Sequence, residues 1–397
     1  MKKLILFALL FTIAIIAKSQ EMIGIIGSTN AGVNVTSVNP SFMADSKYYL
    51  DVNILSTNIF YQTDMVKNGY GNFRLNGPSF MLNKGSHNFA FVNAARTGIS
   101  YKKTSSANGL YNEFNVAGIA WGEAGLSYAY TFKRFEKSVW SAGATVKFLF
   151  GAGGAYYAST SAGNSFNNSA FDNIQNSGLL GGGGMGFGKG IGFDVGFMYQ
   201  KKINKEAQKP FVRLCQQKYY DYKYKIGISI IDIGALKFSK SVSSTNFNVN
   251  LIGSDTSSTH IDSSYNVNNS SLKQDKFSVA LPTAIAVQFD YHLSKNWYFN
   301  GLFFQSLQLA NYYVRRPTMF SFAPRYEKKL YEISLPVSVS DFKYYRIGLA
   351  LRFWKITIGS DNLLGSFGVG ANRGFDVYAA IKINFLKGKC RERKRKN

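Results

Sequence analysis

Gly374-Phe-Asp-Val-Tyr-Ala-Ala-Ile-Lys-Ile-Asn-Phe385 alternates without a break. One set, Phe375, Val377, Ala379, Ile381, Ile383 and Phe385, is wholly apolar; the other, Asp376, Tyr378, Ala380, Lys382 and Asn384, is mostly polar or charged. Successive side chains of a strand point to opposite faces, so this stretch offers one apolar and one polar face over about the ten residues that a tilted strand needs to cross a bilayer. The same pattern stands just upstream. Tyr345, Ile347, Leu349, Leu351 and Phe353 alternate with Tyr344, Arg346, Gly348, Ala350 and Arg352, which sets two arginines on the face away from the apolar one.

Five more stretches repeat it. Ala124 to Lys133, Trp140 to Phe150, Ile191 to Gln200, Tyr222 to Ile230 and Ala284 to Leu293 each put an apolar set against Gly, Ala, Ser, Lys or Asp, with Lys147, Asp194 and Lys225 among the opposing residues. Less regular candidates occupy 47–56, 87–102, 245–252, 296–309, 328–338 and 354–361. The opposing faces are too small and too charged to fill the centre of a soluble sandwich, whose inner faces are Val, Ile and Leu. The apolar face therefore points outward, to lipid. The expected fold is all-β, a transmembrane antiparallel β-barrel of about 14 strands (12–16, since such barrels usually have even counts), with long extracellular loops and short periplasmic turns.

Composition agrees. Of 397 residues, 17% are charged and 16% aromatic, with 38 Gly, against roughly 25% charged in ordinary soluble domains. Past the first residues no run of about 20 apolar residues exists for a membrane helix, and the aromatic content excludes a disordered chain. Residues 1–19 read as a signal peptide: Lys2-Lys3, an apolar run from Leu4 to Ala17, then Ala17-Lys18-Ser19 before Gln20. The expected organisation is a cleaved signal over 1–19, a barrel over 20–385 and a basic periplasmic tail over 386–397, in the cell outer membrane. Two cysteines, Cys215 and Cys390, exclude a disulfide framework.

Gly151 to Lys189, rich in Gly, Ser and Asn, reads as a long loop in which Ala170 to Asn176 could form a short helix folded into the mouth; Gly253 to Asp275 reads as a second loop. The formal net charge is +24. In an exported barrel that charge does not imply nucleic acid; outer-membrane lipid and a periplasmic or cell-surface protein are the expected partners, the tail suiting an acidic surface. Gly183-Gly-Met-Gly-Phe-Gly-Lys-Gly190 nearly matches a phosphate-cradling loop, but Gly190 replaces the magnesium-binding hydroxyl and a strand follows where a helix should begin. His87, His260 and His292 lack metal-ligand spacing, and no Gly-x-Ser-x-Gly elbow occurs. No catalytic residue, cofactor or metal is expected, and no enzyme. Lys147, Asp194, Lys225, Arg346, Arg352 and Lys382 are the expected inward charges, which would set ion selectivity if solutes pass.

Four stretches carry a resemblance: Asn39-Pro-Ser-Phe-Met-Ala-Asp-Ser46 with Tyr48 and Tyr49, Gly190-Ile-Gly-Phe-Asp-Val-Gly-Phe-Met-Tyr199, Pro324-Arg-Tyr-Glu327, and Gly359-Ser-Asp-Asn-Leu-Leu-Gly365 with Asp376 and Tyr378. Together they resemble the recurring blocks of an outer-membrane barrel family of Bacteroidota of unknown function, similar to the PorP/SprF barrels of type IX secretion and, more distantly, to FadL-type channels. The resemblance implies a scaffold or anchoring component for surface or secretion proteins. Its alternative is a passive channel or hydrophobic-solute transporter. Many relatives continue into a peptidoglycan-binding domain, in place of which this sequence has the basic tail. An open pore would favour transport, and a lumen plugged by Gly151 to Lys189 would favour the scaffold.

Overall fold

The computed structural model describes residues 22–64, 68–105, 111–134, 137–162, 174–176, 188–203, 222–238, 244–249, 270–272, 277–309, 313–366 and 373–386. Fourteen antiparallel strands close into a ring. In chain order they are β1 (Tyr48–Asp64), β2 (Asn68–Asn76 with Ser79–Lys84), β3 (His87–Ser105), β4 (Tyr111–Arg134), β5 (Ser138–Ala162), β6 (Gly188–Lys202) and β7 (Tyr222–Phe238). They continue as β8 (Phe277–Ala280 with Ala284–Ser294), β9 (Trp297–Ser306), β10 (Met319–Glu327), β11 (Tyr331–Ser334 with Val337–Ser340), β12 (Tyr344–Ile347 with Leu349–Phe353), β13 (Ile356–Ser360) and β14 (Arg373–Leu386). Each pairs with the next, and β14 returns to β1 through pairs such as Tyr378 with Asn58 and Val377 with Ile59. A closed ring leaves no sheet edge to satisfy, the condition for a sheet in hydrocarbon.

The alternation decides which way each strand faces. Leu126, Phe148, Phe193, Ile228, Ile347 and Ile381 are exposed on the outside, while their neighbours Ser127, Lys147, Asp194, Gly227, Arg346 and Lys382 are buried within the ring. β2 and β10 were not legible as strands: Gly69, Gly71 and the Gly77-Pro78 break weaken the first, and Pro324 interrupts the second. Of the candidate strand 245–252, the described residues 245–249 are not part of the wall. Ser244–Val249 pairs instead with Ile174–Asn176 and Ser270–Leu272 in a small separate sheet, which also makes Ile174–Asn176 extended where a short helix was expected. The loop expected from Gly151 begins later, because β5 continues its ladder with β4 up to Ala162 opposite Tyr111. Leu386 belongs to β14, and the rest of the basic tail, with Cys215 and Cys390, lies outside the described residues.

Two bulges shift side chains from their expected faces. Between Thr131 and Lys133 the register slips, so Phe132 and Lys133 both lie outside. Between Lys201 and Lys202 a slip against β7 turns Tyr222 inward and Lys223 outward, the reverse of simple alternation. Both lie at the end where the chain enters β1 and leaves β14, here the turn end, where tight connections such as 84–87, 294–297 and 353–356 occur together with one longer connection, 202–222; the opposite, loop end carries the connections 162–188 and 238–277. Round the turn end the outward aromatics make neighbour contacts: Trp140 with Tyr199 (4.6 Å between ring centres), Tyr199 with Tyr224 (6.0 Å), Trp297 with Tyr326 (5.1 Å) and Tyr326 with Tyr331 (6.1 Å). Such girdles mark the membrane interface of a barrel.

Ahead of β1, residues 22–46 enter the ring rather than its wall. They form a single helical turn α1 (Ile23–Ile26) and two 3-10 turns, Gly32–Ser37 and Pro40–Asp45, and nearly all of their residues are buried.

Candidate functional site

The lumen is occupied by the chain's own amino-terminal segment, and the site is the seat that holds it. Asn39 begins the second 3-10 turn in extended conformation, and its Oδ1 accepts from Ser41 N (3.0 Å) and Ser41 Oγ (2.6 Å). Its Nδ2 donates to Gln288 Oε1 at 2.8 Å. Pro40, whose φ suits the first position of a helical turn, drives the bend. The bend presses against three neighbouring strands where side chains are missing. A Cβ on Gly143 of β5 would stand 2.6 Å from Ser41 N; on Gly196 of β6 it would fall on Asn39 Oδ1, and on Gly227 of β7 against the Phe42 ring. Gly143 and Gly196 are register partners, so the wall is hollowed where the segment is bulkiest.

Charges tie the segment down around the turn end. Lys225 Nζ reaches Asp45 Oδ2 (3.1 Å) and the Gly27 carbonyl (3.1 Å), while Gln200 and Lys202 also contact Asp45. Lys382 Nζ donates to the carbonyls of Asn30 (2.6 Å) and Ala31 (2.8 Å). Glu332 accepts from Ser28 Oγ (2.9 Å) and Asn30 Nδ2 (2.8 Å), and Arg352 Nε holds that same carboxylate at 3.0 Å. Glu327 accepts from Thr29 Oγ1 and from Arg325, whose Nη2 continues to Asp290 at 3.0 Å. Deeper in the ring Asp361, just past β13, receives the backbone N–H groups of Ile23 (2.9 Å) and Gly24 (3.2 Å) and the Tyr378 hydroxyl.

A second network crosses the other half of the wall with one charge on each of six neighbouring strands. Arg96 forks onto Asp232 (2.7 and 2.9 Å) and touches Glu123 (3.2 Å); Glu123 also takes Arg74 Nη2 and Trp121 Nε1; Lys147 bridges Asp194 and Asp232 at 2.8 Å each. Asp232 adopts a left-handed φ of 57°, which breaks the alternation so that Ile231 and Asp232 both face inward and the Asp232 N–H reaches Asp194. Buried charges need such partners.

All six of the charges singled out in the sequence lie inside the ring, but they do not line an open passage. Lys147 and Asp194 meet in the second network; Lys225, Arg352 and Lys382 hold the segment; Arg346 stands apart, over the Phe60 ring and against Ser340 and Met319. The sequence reading missed Arg96, Glu123 and Asp232 altogether, and met Asp45, Arg325 and Asp361 only as members of the resembling blocks, not as inward charges. Arg325 stood in an unrecognised strand, and Asp232 at a bulge where a period of two gives no signal.

Apolar contacts complete the seal. Ile23, Ile26 and Val38 pack on Leu302, Phe304 and Met319; Val33, Phe42 and Met43 pack on Met81, Ala129 and Met198; Met22 and Ile25 pack on Ala350 and Tyr378. A crevice left between Ile25, Ile26, Asn34, Thr357 and Lys382 holds about 10 Å3, at the lower limit for one water. Toward the loop end the lumen is filled by a separate apolar cluster that includes Phe60, Trp121, Leu149, Phe238, Leu281 and Val314. Among the described residues no group of three or more His, Cys, Asp or Glu is arranged to hold a metal. Among the described residues, the segment 22–46 thus fills the turn half of the barrel's interior.

Among solved structures, the chain is similar to the toluene transporter TbuX of Ralstonia pickettii (11% identity, TM-score 0.48, covering 89% of this chain and 94% of that one). It is similar also to the toluene transporter TodX of P. putida (8%, TM-score 0.46, 89% and 94%) and to a Pseudomonas aeruginosa FadL homologue (9%, TM-score 0.27, 93% and 98%). No curated protein matches the chain. Residues 152–361, more than half of the sequence, match the family of unknown function DUF5723, and the chain belongs to that family.

Proposed function

We propose that this protein is an outer-membrane barrel that works closed, as a scaffold or anchoring component for surface or secretion proteins rather than as a porin. The observation that carries the reading is the occupied lumen: the segment 22–46 is held by Lys225, Glu332, Arg352, Lys382 and Asp361, so the charges that would have selected ions are spent on the chain itself. The outward apolar belt and aromatic girdle suit a bilayer, and an even number of strands lets β1 begin and β14 end at the same, turn end, which this reading takes as the periplasmic side. β4 and β5, 24 and 25 residues long, then exceed what crosses a bilayer and stand out on the cell surface. Beside them the small sheet joins segments of the two longest loops, a platform of backbone suited to a partner.

The test is cross-linked affinity capture from native outer membranes, with the tag between Val249 and Ser270, read by mass spectrometry. A stoichiometric protein partner is expected. Recovery of the barrel alone would overturn the scaffold. A second reading, passage of hydrophobic solutes, is favoured by the apolar cluster in the loop half of the lumen; it requires that cells carrying the protein take up an apolar solute faster than cells lacking it.

A further inference from the structure

The turn end carries a feature that closing the lumen does not use. Its outward aromatics are interleaved with lysines whose ammonium groups lie on ring faces: Lys223 is 5.0 Å from the Tyr291 ring centre, Lys328 is 5.6 and 5.4 Å from Tyr326 and Tyr331, and Lys355 is 4.5 Å from Trp354. Lys84 and Lys295 stand exposed in the tight turns beside them. The described carboxylates at this end, Asp45, Asp51, Asp290, Glu327 and Glu332, are all buried in the lumen. The register slip at Lys201/Lys202 contributes directly, since it is what turns Lys223 outward. None of Lys223, Lys328 and Lys355 pairs with a carboxylate among the described residues. At the loop end Arg315 is neutralised by Asp341 at 2.9 Å, and Lys343 lies 5.2 Å from the ring of Tyr344, which is buried in the lumen and does not face the lipid side.

We propose that this rim is a docking collar for anionic phospholipid head groups of the leaflet that surrounds it, the periplasmic leaflet if the barrel stands in the outer membrane as proposed above. A lysine held on an aromatic face at the water boundary offers a cation to a phosphate while the ring stays against the acyl chains. The collar is continuous with the lipid-facing belt and runs from the hairpin at Lys84 round to Lys355. A lipid annulus matches that shape, whereas a protein partner would cover one side. Basic residues at a membrane surface attract acidic lipid in this way.

The test places the full-length protein in nanodiscs of equimolar phosphatidylcholine and phosphatidylglycerol and identifies the lipids that stay with it by native mass spectrometry. The wild type should retain phosphatidylglycerol preferentially, and the combined variant Lys223→Gln, Lys328→Gln, Lys355→Gln should lose roughly fivefold of that preference for each lysine removed. Lys343→Gln, at the opposite end, should leave it intact. Heat-modifiable gel mobility establishes that each variant keeps its barrel. Equal retention of the two lipids by the wild type, or an unchanged preference in the triple variant, overturns the collar. Loss of the preference on adding inorganic phosphate would reassign the lysines to a free anion and overturn it as well. A wild-type protein that enters no bilayer would contradict the outer-membrane reading instead, a failure distinct from insertion without lipid preference.

Discussion

Arg352 shows how position inside the ring changes what a charge does. Alternation alone makes it a lining charge whose reversal would alter ion preference. In the structure it shares the Glu332 carboxylate with Ser28 and Asn30, and its Nη2 reaches the Lys328 carbonyl at 2.8 Å. Arg352→Glu would set two carboxylates together and unseat that part of the segment; breaking a buried pair costs roughly 3–5 kcal/mol. Hydrogen exchange should therefore rise sharply at residues 28–31 in this variant while the strands stay protected, and unchanged exchange there would contradict the assignment. Gly196 gives the complementary case, in which an absent side chain is the functional feature. Gly196→Leu overfills the hollow under Asn39, at a cost of about 1–3 kcal/mol, so it should release residues 39–42 to added protease with the barrel's gel mobility unchanged.

At the scale of the element, the strands divide by how plainly each spells its two faces. β14 and β12 were legible because every outward position is apolar and the inward ones carry charge. β10 has the same alternation, with Phe320 and Phe322 outside and Ser321 and Arg325 inside, but Pro324 reads as a break. It fits here because the Pro324 carbonyl still accepts from Leu335 and the ring faces outward. β2 has Phe73, Leu75, Phe80 and Leu82 on its outward side, but Gly69 and Gly71 dilute that face and the Gly77-Pro78 break interrupts the alternation. The outward face can be tested on β14, where Ile381 is 43% exposed between the girdle and the loop end. Ile381→Lys should weaken insertion by roughly 2–4 kcal/mol if the residue lies near mid-bilayer, measured by denaturant unfolding from lipid vesicles. A neutral result would mean that this face does not meet hydrocarbon.

For the whole molecule, closure of the ring and the sign of its faces could be read from the sequence, whereas the occupant of the lumen could not. Residues 22–46 have no strand period, and their partners are far away in the chain, as Ile23 is from Asp361 or Asn30 from Glu332. The sequence offered the glycine-rich stretch 151–189 as either a constriction or a surface loop; its first residues extend β5 up to Ala162. The four blocks that carried the resemblance do converge. Asn39 and Pro40 lie on Gly196, Asp361 caps α1, and Arg325 with Glu327 anchors Thr29. That convergence of the quoted stretches on the segment 22–46 is what the proposed closed barrel rests on. Current through planar bilayers tests that most directly, comparing the full-length protein with a variant lacking residues 22–46. The full-length protein should give no steady channel steps, and the truncated barrel only such small ones as the apolar cluster of the loop half still allows, whereas a steady open-pore current from the full-length protein would contradict the closed lumen.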